Sequence, residues 1–222
     1  MTSLWWVFHK DLVTELRARL AWPAMLLLGI VVALLFGVQM DLVPHDKQRL
    51  VGGLLWLAIF FAGMVAVERS FGSERDDGCW EALRLYPVSP AMIYLAKLAA
   101  NVVALAVLQG LLIPLLFAFA DLPLAEHAGP MLAIAVLGNL GIAAVGTLVT
   151  ALAAGLGRGG SLLALVVLPL VIPVLLGAAE STRLVVEGQS ASAWWPWIQL
   201  LGAFAVVFIT AGTVLFEYAV EE

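Results

Sequence analysis

The feature that most limits the possible folds of this chain is a series of six long apolar runs separated by short polar stretches. Each run is close to the ~20 residues that an α-helix needs to cross a hydrocarbon core of roughly 30 Å. Charged residues make up only 12% of the sequence, and they cluster between the runs rather than within them. The pattern predicts a single all-α, polytopic membrane domain over residues 1–222, with spans at about 21–39, 50–67, 97–120, 130–155, 161–179 and 197–217.

Residues 1–20 show a different pattern, in which apolar side chains recur at helical spacing on one face and charged side chains occupy the other. A helix of this kind is too charged to insert, so we expect it to lie in the membrane interface. The alternative is that it is only a polar extension of the first span. The apolar face consists of Trp5, Phe8, Leu12, Leu16 and Leu20, opposite Lys10, Asp11, Thr14 and Arg17.

The distribution of basic residues indicates the orientation. With a cytoplasmic N-terminus, eight Lys and Arg residues fall inside and three outside, and the opposite topology inverts this positive-inside bias. We therefore expect a multi-pass protein of a bacterial inner (cytoplasmic) membrane with both termini in the cytoplasm. The inside residues are Lys10, Arg17, Arg19, Arg69, Arg75, Arg84, Lys97 and Arg158, and the outside ones are Lys47, Arg49 and Arg183.

The polar segment between the second and third spans, residues 68–96, is expected to be cytoplasmic. Ser73 and the acidic residues after it are typical of a helix start, and Pro87 and Pro90 are predicted to end that helix. Charged side chains share one face of it and apolar ones another, as in a docking surface with an apolar anchor and a charged rim. The charged face holds Asp77, Glu81 and Arg84, and the apolar face holds Trp80 and Leu83.

Within the spans, three features predict close contact with other helices. Pro169 and Pro173 each remove a backbone donor, so their span is expected to kink and to pack against a helix or line a cavity. Asn101, Gln109 and Asn139 are uncharged and isolated, which favours interhelical hydrogen bonds over a substrate path. Glycines in the fourth span, at positions 138, 141 and 146, predict close helix approach.

Three tryptophans, Trp194, Trp195 and Trp197, precede the last span on the outer side. Tryptophan is enriched at both edges of a bilayer, so an interfacial aromatic belt is the favoured interpretation. The alternative is a platform for a flat apolar ligand such as haem. No histidine lies close to them in sequence, which argues against haem or metal ligation by this chain alone.

No catalytic pattern is present. The glycine-rich stretch 155–161 lacks the lysine of a P-loop and joins two spans, so a tight turn is the better interpretation. The single cysteine, Cys79, excludes an intrachain disulfide and any Cys-based zinc site. The chain is expected to be neither an enzyme nor a nucleic-acid-binding protein.

Two motifs resemble the CcmB family, the haem exporter protein B permease subunit of the cytochrome c maturation ABC transporter. The first is GLLWLAIFFAGMVAVERSF at 53–71 followed by DDGCWEALRLYPVSP at 76–90 and LAK at 95–97. The second is GLGRGGSLLALVVLPLVIPVLL at 155–176. The six-span plan, the chain length and the amphipathic N-terminal helix are similar to that family over the whole chain.

The resemblance implies an ABC-2-type exporter permease that works as a homodimer with a CcmA-like ATPase, CcmC-like and CcmD-like haem-handling subunits and a CcmE-like haem chaperone. It also implies that no cofactor is bound directly, that ATP acts through the partner subunit, and that haem is handled by the complex. The polar segment would then be a coupling helix that seats in the ATPase. The expected ATPase-coupling residues are Arg75, Asp76, Asp77, Gly78, Trp80, Glu81, Leu83, Arg84 and Pro87.

Two other functions share much of this pattern. A general ABC exporter permease for a lipid, glycan or small molecule would have the same interfacial helix, polar segment and six spans. A passive scaffold that only gathers haem-handling proteins would need no ATP-dependent motion. Cytochrome c maturation genes next to this one, beside an ATP-binding cassette, would favour the haem permease over the general exporter. Loss of holocytochrome c in an ATPase-dead strain, with the complex still assembled, would exclude the scaffold.

Overall fold

The computed structural model describes residues 21–42, 46–76, 89–155 and 163–221, and this part of the chain is helical without any strand. The all-α prediction is confirmed. Within these ranges, a 3₁₀ turn, Leu124–His127, precedes the fourth of six α-helices. The helices are α1 (Ala21–Leu42), α2 (Lys47–Asp76), α3 (Pro90–Phe119), α4 (Ala128–Gly155), α5 (Leu163–Val186) and α6 (Ala191–Glu221).

Five of these helices contain an apolar stretch long enough to cross a membrane. The apolar part of α1, Pro23–Gln39, is shorter than the others. The protein is thus a multi-pass membrane protein. The five stretches are Lys47–Glu68, Pro90–Phe119, Leu124–Ala153, Val166–Val186 and Ala191–Phe216.

The helices pack around α2 and α4. Helix α4 contacts α2, α3, α5 and α6, whereas α1 packs on α2 and α3 at the edge of the bundle. The largest fully buried side chain, Trp56 of α2, donates a hydrogen bond from Nε1 to Oγ1 of Thr182 on α5, at 3.1 Å. Gly138 of α4 allows this, because a Cβ there would overlap the indole of Trp56. Small residues therefore bring α4 close to α2, as membrane helix interfaces commonly require.

Side-chain contacts define the two ends of the bundle. At one end, here called the Lys47 end, Nζ of Lys47 lies 3.0 Å from Oδ2 of Asp121, and Arg49 pairs with Glu187 at 3.9 Å. Arg183 also pairs with Glu187, at 2.7 Å. The other end, the Asp76 end, contains the last turn of α2 and the first turn of α3. The three basic residues predicted to lie outside thus share the Lys47 end.

The predicted helix start at Ser73 is wrong, because α2 continues without a break to Asp76. A serine caps a helix only where the preceding backbone is not helical, and here the preceding turn already supplies intrahelical partners. The sequence did not predict that Pro90 begins α3. Ser89 before it is not helical, and the predicted end of the coupling helix lies in residues 77–88, outside the described part of the chain. Proline is favoured at the first helical position, where its missing N–H would have no intrahelical partner.

The connection between α5 and α6 is shorter than the external loop expected at 179–196. Helix α5 runs on to Val186, and Gly188 adopts a left-handed φ of 70° directly after it. The N–H of Gly188 donates to the carbonyl of Val185, and that of Gln189 to the carbonyl of Leu184. This is the Schellman arrangement, which ends a helix in a sharp turn and here lets α6 begin at Ala191.

Candidate functional site

The candidate site is the Asp76 end of α3, where the chain enters the bundle from the predicted coupling segment. The backbone at Arg75 and Asp76 forms the last turn of α2. The remaining predicted coupling residues lie outside the described part of the chain: Asp77, Gly78, Trp80, Glu81, Leu83, Arg84 and Pro87. The structure does describe α3, the helix into which this segment leads.

Ser89 and Pro90 set the start of that helix. Ser89 has extended backbone angles, φ −62° and ψ 140°, and occupies the N-cap position. Pro90 follows with a φ that proline fixes close to the helical value. Helix α3 then continues for 30 residues, or roughly 45 Å, to Phe119. A displacement at Ser89 is therefore applied to one end of a single long rod.

Tyr94, in the second turn of α3, joins that rod to two other helices. Its hydroxyl lies 3.2 Å from the carbonyl oxygen of Ala144 on α4 and 3.4 Å from that of Phe208 on α6. The side chain is fully buried, and its ring lies 6.1 Å from the ring of Phe216, measured between centroids. Gly212 of α6 faces the ring so closely that a Cβ would overlap it. Three helices meet at Tyr94.

The next two turns of α3 carry buried polar side chains on the same face. Lys97 is 1% exposed, although the sequence predicts it at the edge of its span, because α3 starts seven residues earlier than expected. Lys97 and Glu68 each have an interaction partner. Nδ2 of Asn101 donates to Oγ1 of Thr147 on α4, at 2.8 Å. Polar contacts thus continue the α3–α4 junction beyond Tyr94.

Farther along, Gln109 and Asn139 join the same two helices. Nδ2 of Asn139 lies 3.0 Å from the carbonyl oxygen of Val102 and 3.3 Å from Oε1 of Gln109. Nε2 of Gln109 donates to the carbonyl of Ala135, at 3.2 Å. The three predicted buried polar residues therefore make interhelical hydrogen bonds in one row between α3 and α4. A cavity of about 450 Å³ lies beside Gln109 and Asn139.

The other predicted site residues lie elsewhere. Pro169 and Pro173 are inside α5, Pro169 is exposed, and neither lines the cavity beside Gln109. Trp194, Trp195 and Trp197 lie in the first two turns of α6 at the Lys47 end rather than before that helix. Trp195 is 53% exposed, and its ring meets that of Trp194 edge to face, 6.3 Å apart.

No metal centre is formed by the described residues, among which no group of three His, Cys, Asp or Glu side chains comes together. The structure instead adds three residues that the sequence did not single out. Tyr94 was missed because α3 was expected to start after it. Thr147 was missed because a single hydroxyl in an apolar span does not indicate a site. Pro114 lies inside α3, and the missing backbone N–H that singled out Pro169 and Pro173 would have singled it out as well.

Comparison with known proteins gives one consistent result. The family model described as CcmB protein matches residues 2–222. Heme exporter protein B of Pseudomonas aeruginosa is 33% identical over 205 residues, covering 90% of this chain and 91% of the relative. Heme exporter protein B of Escherichia coli strain K12 is 31% identical over 198 residues, covering 84% and 87%. The protein of that name from Rhodobacter capsulatus is 31% identical over 166 residues, covering 75% and 72%.

Proposed function

The chain belongs to the CcmB family, and from this premise we propose that it couples ATP hydrolysis by a separate CcmA-like ATPase to haem handling in cytochrome c maturation. In this proposal, ATP hydrolysis drives release of the haem-loaded periplasmic chaperone, a CcmE-like protein. The family membership and the multi-pass helical bundle support a permease of the haem and cytochrome c maturation system.

The orientation in this proposal puts the Asp76 end in the cytoplasm and the Lys47 end in the periplasm. The excess of Lys and Arg predicted for the cytoplasmic side supports it. So does the grouping of Lys47, Arg49 and Arg183 at the opposite end. The segment 77–88 is then accessible to a cytoplasmic ATPase, and Trp194, Trp195 and Trp197 lie near the periplasmic edge of the bilayer.

The observation that supports the proposal is the connection from the predicted coupling segment into α3 and from there to two other helices. The segment 77–88 leads through Ser89 directly into α3, and Tyr94 ties the second turn of α3 to α4 and α6. A motion delivered to this segment by the ATPase would therefore move three helices together. Because closely packed interiors are not continuously deformable, such a push favours a rearrangement between discrete packings.

The proposed complex contains a CcmA-like ATPase, a second copy of this chain, CcmC-like and CcmD-like subunits and a CcmE-like chaperone. Haem is handled by the complex and ATP by the ATPase, so the proposal assigns no cofactor to this chain. Apolar side chains exposed on α1 and α6, such as Leu34 and Val206, offer surface for lipid or for these membrane partners.

The experiment is co-purification of the ATPase with variants of the coupling segment. We expect Trp80→Ala and Glu81→Gln to lower ATPase recovery and stimulated ATP hydrolysis, since hot spots of docking surfaces are enriched in tryptophan. Trp195→Ala is the matched control, because it removes an exposed tryptophan at the opposite end. Full coupling in a double variant at Trp80 and Glu81 would contradict the proposal.

A second measurement separates an active permease from a scaffold. In a strain whose ATPase binds but does not hydrolyse ATP, we expect the complex to assemble while holocytochrome c is lost and haem-bound chaperone accumulates. Normal levels of c-type cytochromes in that strain would favour a passive scaffold. Normal cytochromes after deletion of this chain would instead favour a general exporter permease.

A further inference from the structure

The cavity between α3 and α4 has the dimensions of a small-molecule site. Its volume of about 450 Å³ falls within the range of such sites, and it lies in the half of the bundle nearer the Lys47 end. Val102, Asn139, Leu124 and Ala128 are among the residues that line it. Most of the lining is apolar. Two residues at its rim, Leu132 and Val136, are 67% and 49% exposed, so the cavity is reached from the side that faces lipid.

The amide of Asn139 gives this apolar cavity a specific polar requirement. Its Nδ2 donates to the carbonyl of Val102 and to Oε1 of Gln109, and these two contacts fix which way the amide is oriented. Its Oδ1 is fully buried and has no hydrogen-bond partner. Asn139 as a whole is 3% exposed and forms part of the cavity wall. A buried acceptor is normally satisfied, so this oxygen calls for a donor.

A second acceptor belongs to the opposite wall. Pro114 has no N–H, so the carbonyl of Gly110 lacks the donor that it would have in a regular helix. Gly110 and Pro114 both line the cavity. None of the lining residues is charged, which leaves nothing to pair with a phosphate or a carboxylate. The cavity therefore favours a neutral molecule that supplies donors to protein acceptors.

We propose that this cavity binds a neutral, mainly apolar amphiphile through a hydroxyl group that donates to Oδ1 of Asn139, which becomes reachable when the apolar side chains that cover it move aside on binding. The apolar body lies against side chains such as Ile113, Met131 and Leu132, and the molecule enters sideways from the bilayer. The binding is non-covalent and independent of ATP. A hydroxyl fits because it donates a hydrogen bond without bringing a charge into an uncharged cavity.

The test uses a long-chain alcohol with a photoreactive diazirine in its chain and, as its partner, the methyl ether of the same alcohol. The ether keeps the chain and the diazirine, adds one methyl group and cannot donate a hydrogen bond. With the full chain in phosphatidylcholine nanodiscs, we expect the alcohol to label peptides of α3 and α4 around Gly110 and Leu132. The ether should label them about fivefold less, the effect of one hydrogen bond. Equal labelling by the two probes would overturn the proposal.

Three variants sharpen the test. Asn139→Leu removes the acceptor at similar volume and should lower alcohol labelling to the level of the ether. Asn101→Leu is the matched control, because the Oδ1 of Asn101 is also buried without a partner but Asn101 does not line the cavity. Val136→Trp fills the rim and should block labelling without removing a polar group, with the melting temperature showing that the bundle is intact.

Two outcomes would contradict the assignment. Unchanged labelling in a folded Asn139→Leu or Val136→Trp variant would show that the probe is not held in this cavity. A disulfide formed between copies carrying Leu132→Cys, together with an absence of alcohol labelling, would show that a second copy of the chain covers the groove instead.

Discussion

Gly212 and Tyr94 provide a quantitative test of the junction between α3 and α6. A Cβ added at Gly212 would overlap the phenol ring of Tyr94, which is fully buried. Extra volume in a well-packed core costs about 1–3 kcal/mol, while alanine gains up to ~1 kcal/mol over glycine in helix propensity. We therefore expect Gly212→Ala to lower the free energy of unfolding by about 1–2 kcal/mol.

The effect of Gly212→Ala on the free energy of unfolding should change sign when the ring of Tyr94 is removed. Tyr94→Ala alone leaves a cavity and should cost about 3–5 kcal/mol, the usual range for a large aromatic side chain. In that background the methyl group of Gly212→Ala meets open space, so only the gain in helix propensity remains. The double-mutant cycle should give a coupling energy of about 2–3 kcal/mol.

The measurement is reversible unfolding of the four proteins in mixed micelles, followed by circular dichroism. Gly202→Ala is the matched control on the same helix, because no atom other than its immediate neighbours lies within 4 Å of a Cβ at that position. It should be neutral or slightly stabilising. Tyr94 would not be the contact between α3 and α6 if Gly212→Ala behaved like Gly202→Ala, or if the cycle were additive within ~0.5 kcal/mol.

Three further substitutions test other contacts by the same unfolding assay. Gly52→Ala places a Cβ against a backbone carbonyl of α5, which cannot rotate away, and should cost at least ~2 kcal/mol; a neutral result would disprove that close approach. Trp56→Phe loses the hydrogen bond to Thr182 and should cost about 1 kcal/mol beyond any packing change, whereas Thr182→Val should add little to it. Asp121→Gly keeps the left-handed turn after α3 (φ 57°) while removing the exposed ion pair with Lys47, so the change should stay within ~1 kcal/mol; a larger loss would show that the pair is structurally important.

The sequence predicts the approximate positions of the long apolar helices because hydrophobic length is a direct physical requirement of the bilayer. It predicts six spans, whereas five of the described helices are long and apolar enough to cross. The sequence predicts the ends of the helices less well. Helix α2 extends to Asp76 since no proline lies between Glu68 and Asp76, and leaving the hydrocarbon is not by itself a reason to stop. The ambiguity of Pro90 has a similar cause, because proline both ends and begins helices.

The sequence could predict that these helices make polar contacts with one another, but not which residues pair. Asn101, Gln109 and Asn139 have to find polar partners in lipid, but their partners depend on how α3 and α4 are rotated against each other. That rotation is set by packing over the whole length, including the close approach at Gly138. Tyr94 could not be recognised from sequence for the same reason, since its two acceptors are backbone carbonyls of other helices.

The most direct test of the account is the labelling of Cys79, which is the single cysteine of the chain and lies in the segment between α2 and α3. A membrane-impermeant maleimide should react with it in inside-out membrane vesicles and not in intact spheroplasts, and added ATPase subunit should slow that reaction. Labelling from the periplasmic side, or labelling from the cytoplasmic side at a rate that the ATPase does not change, would contradict the coupling route through α3.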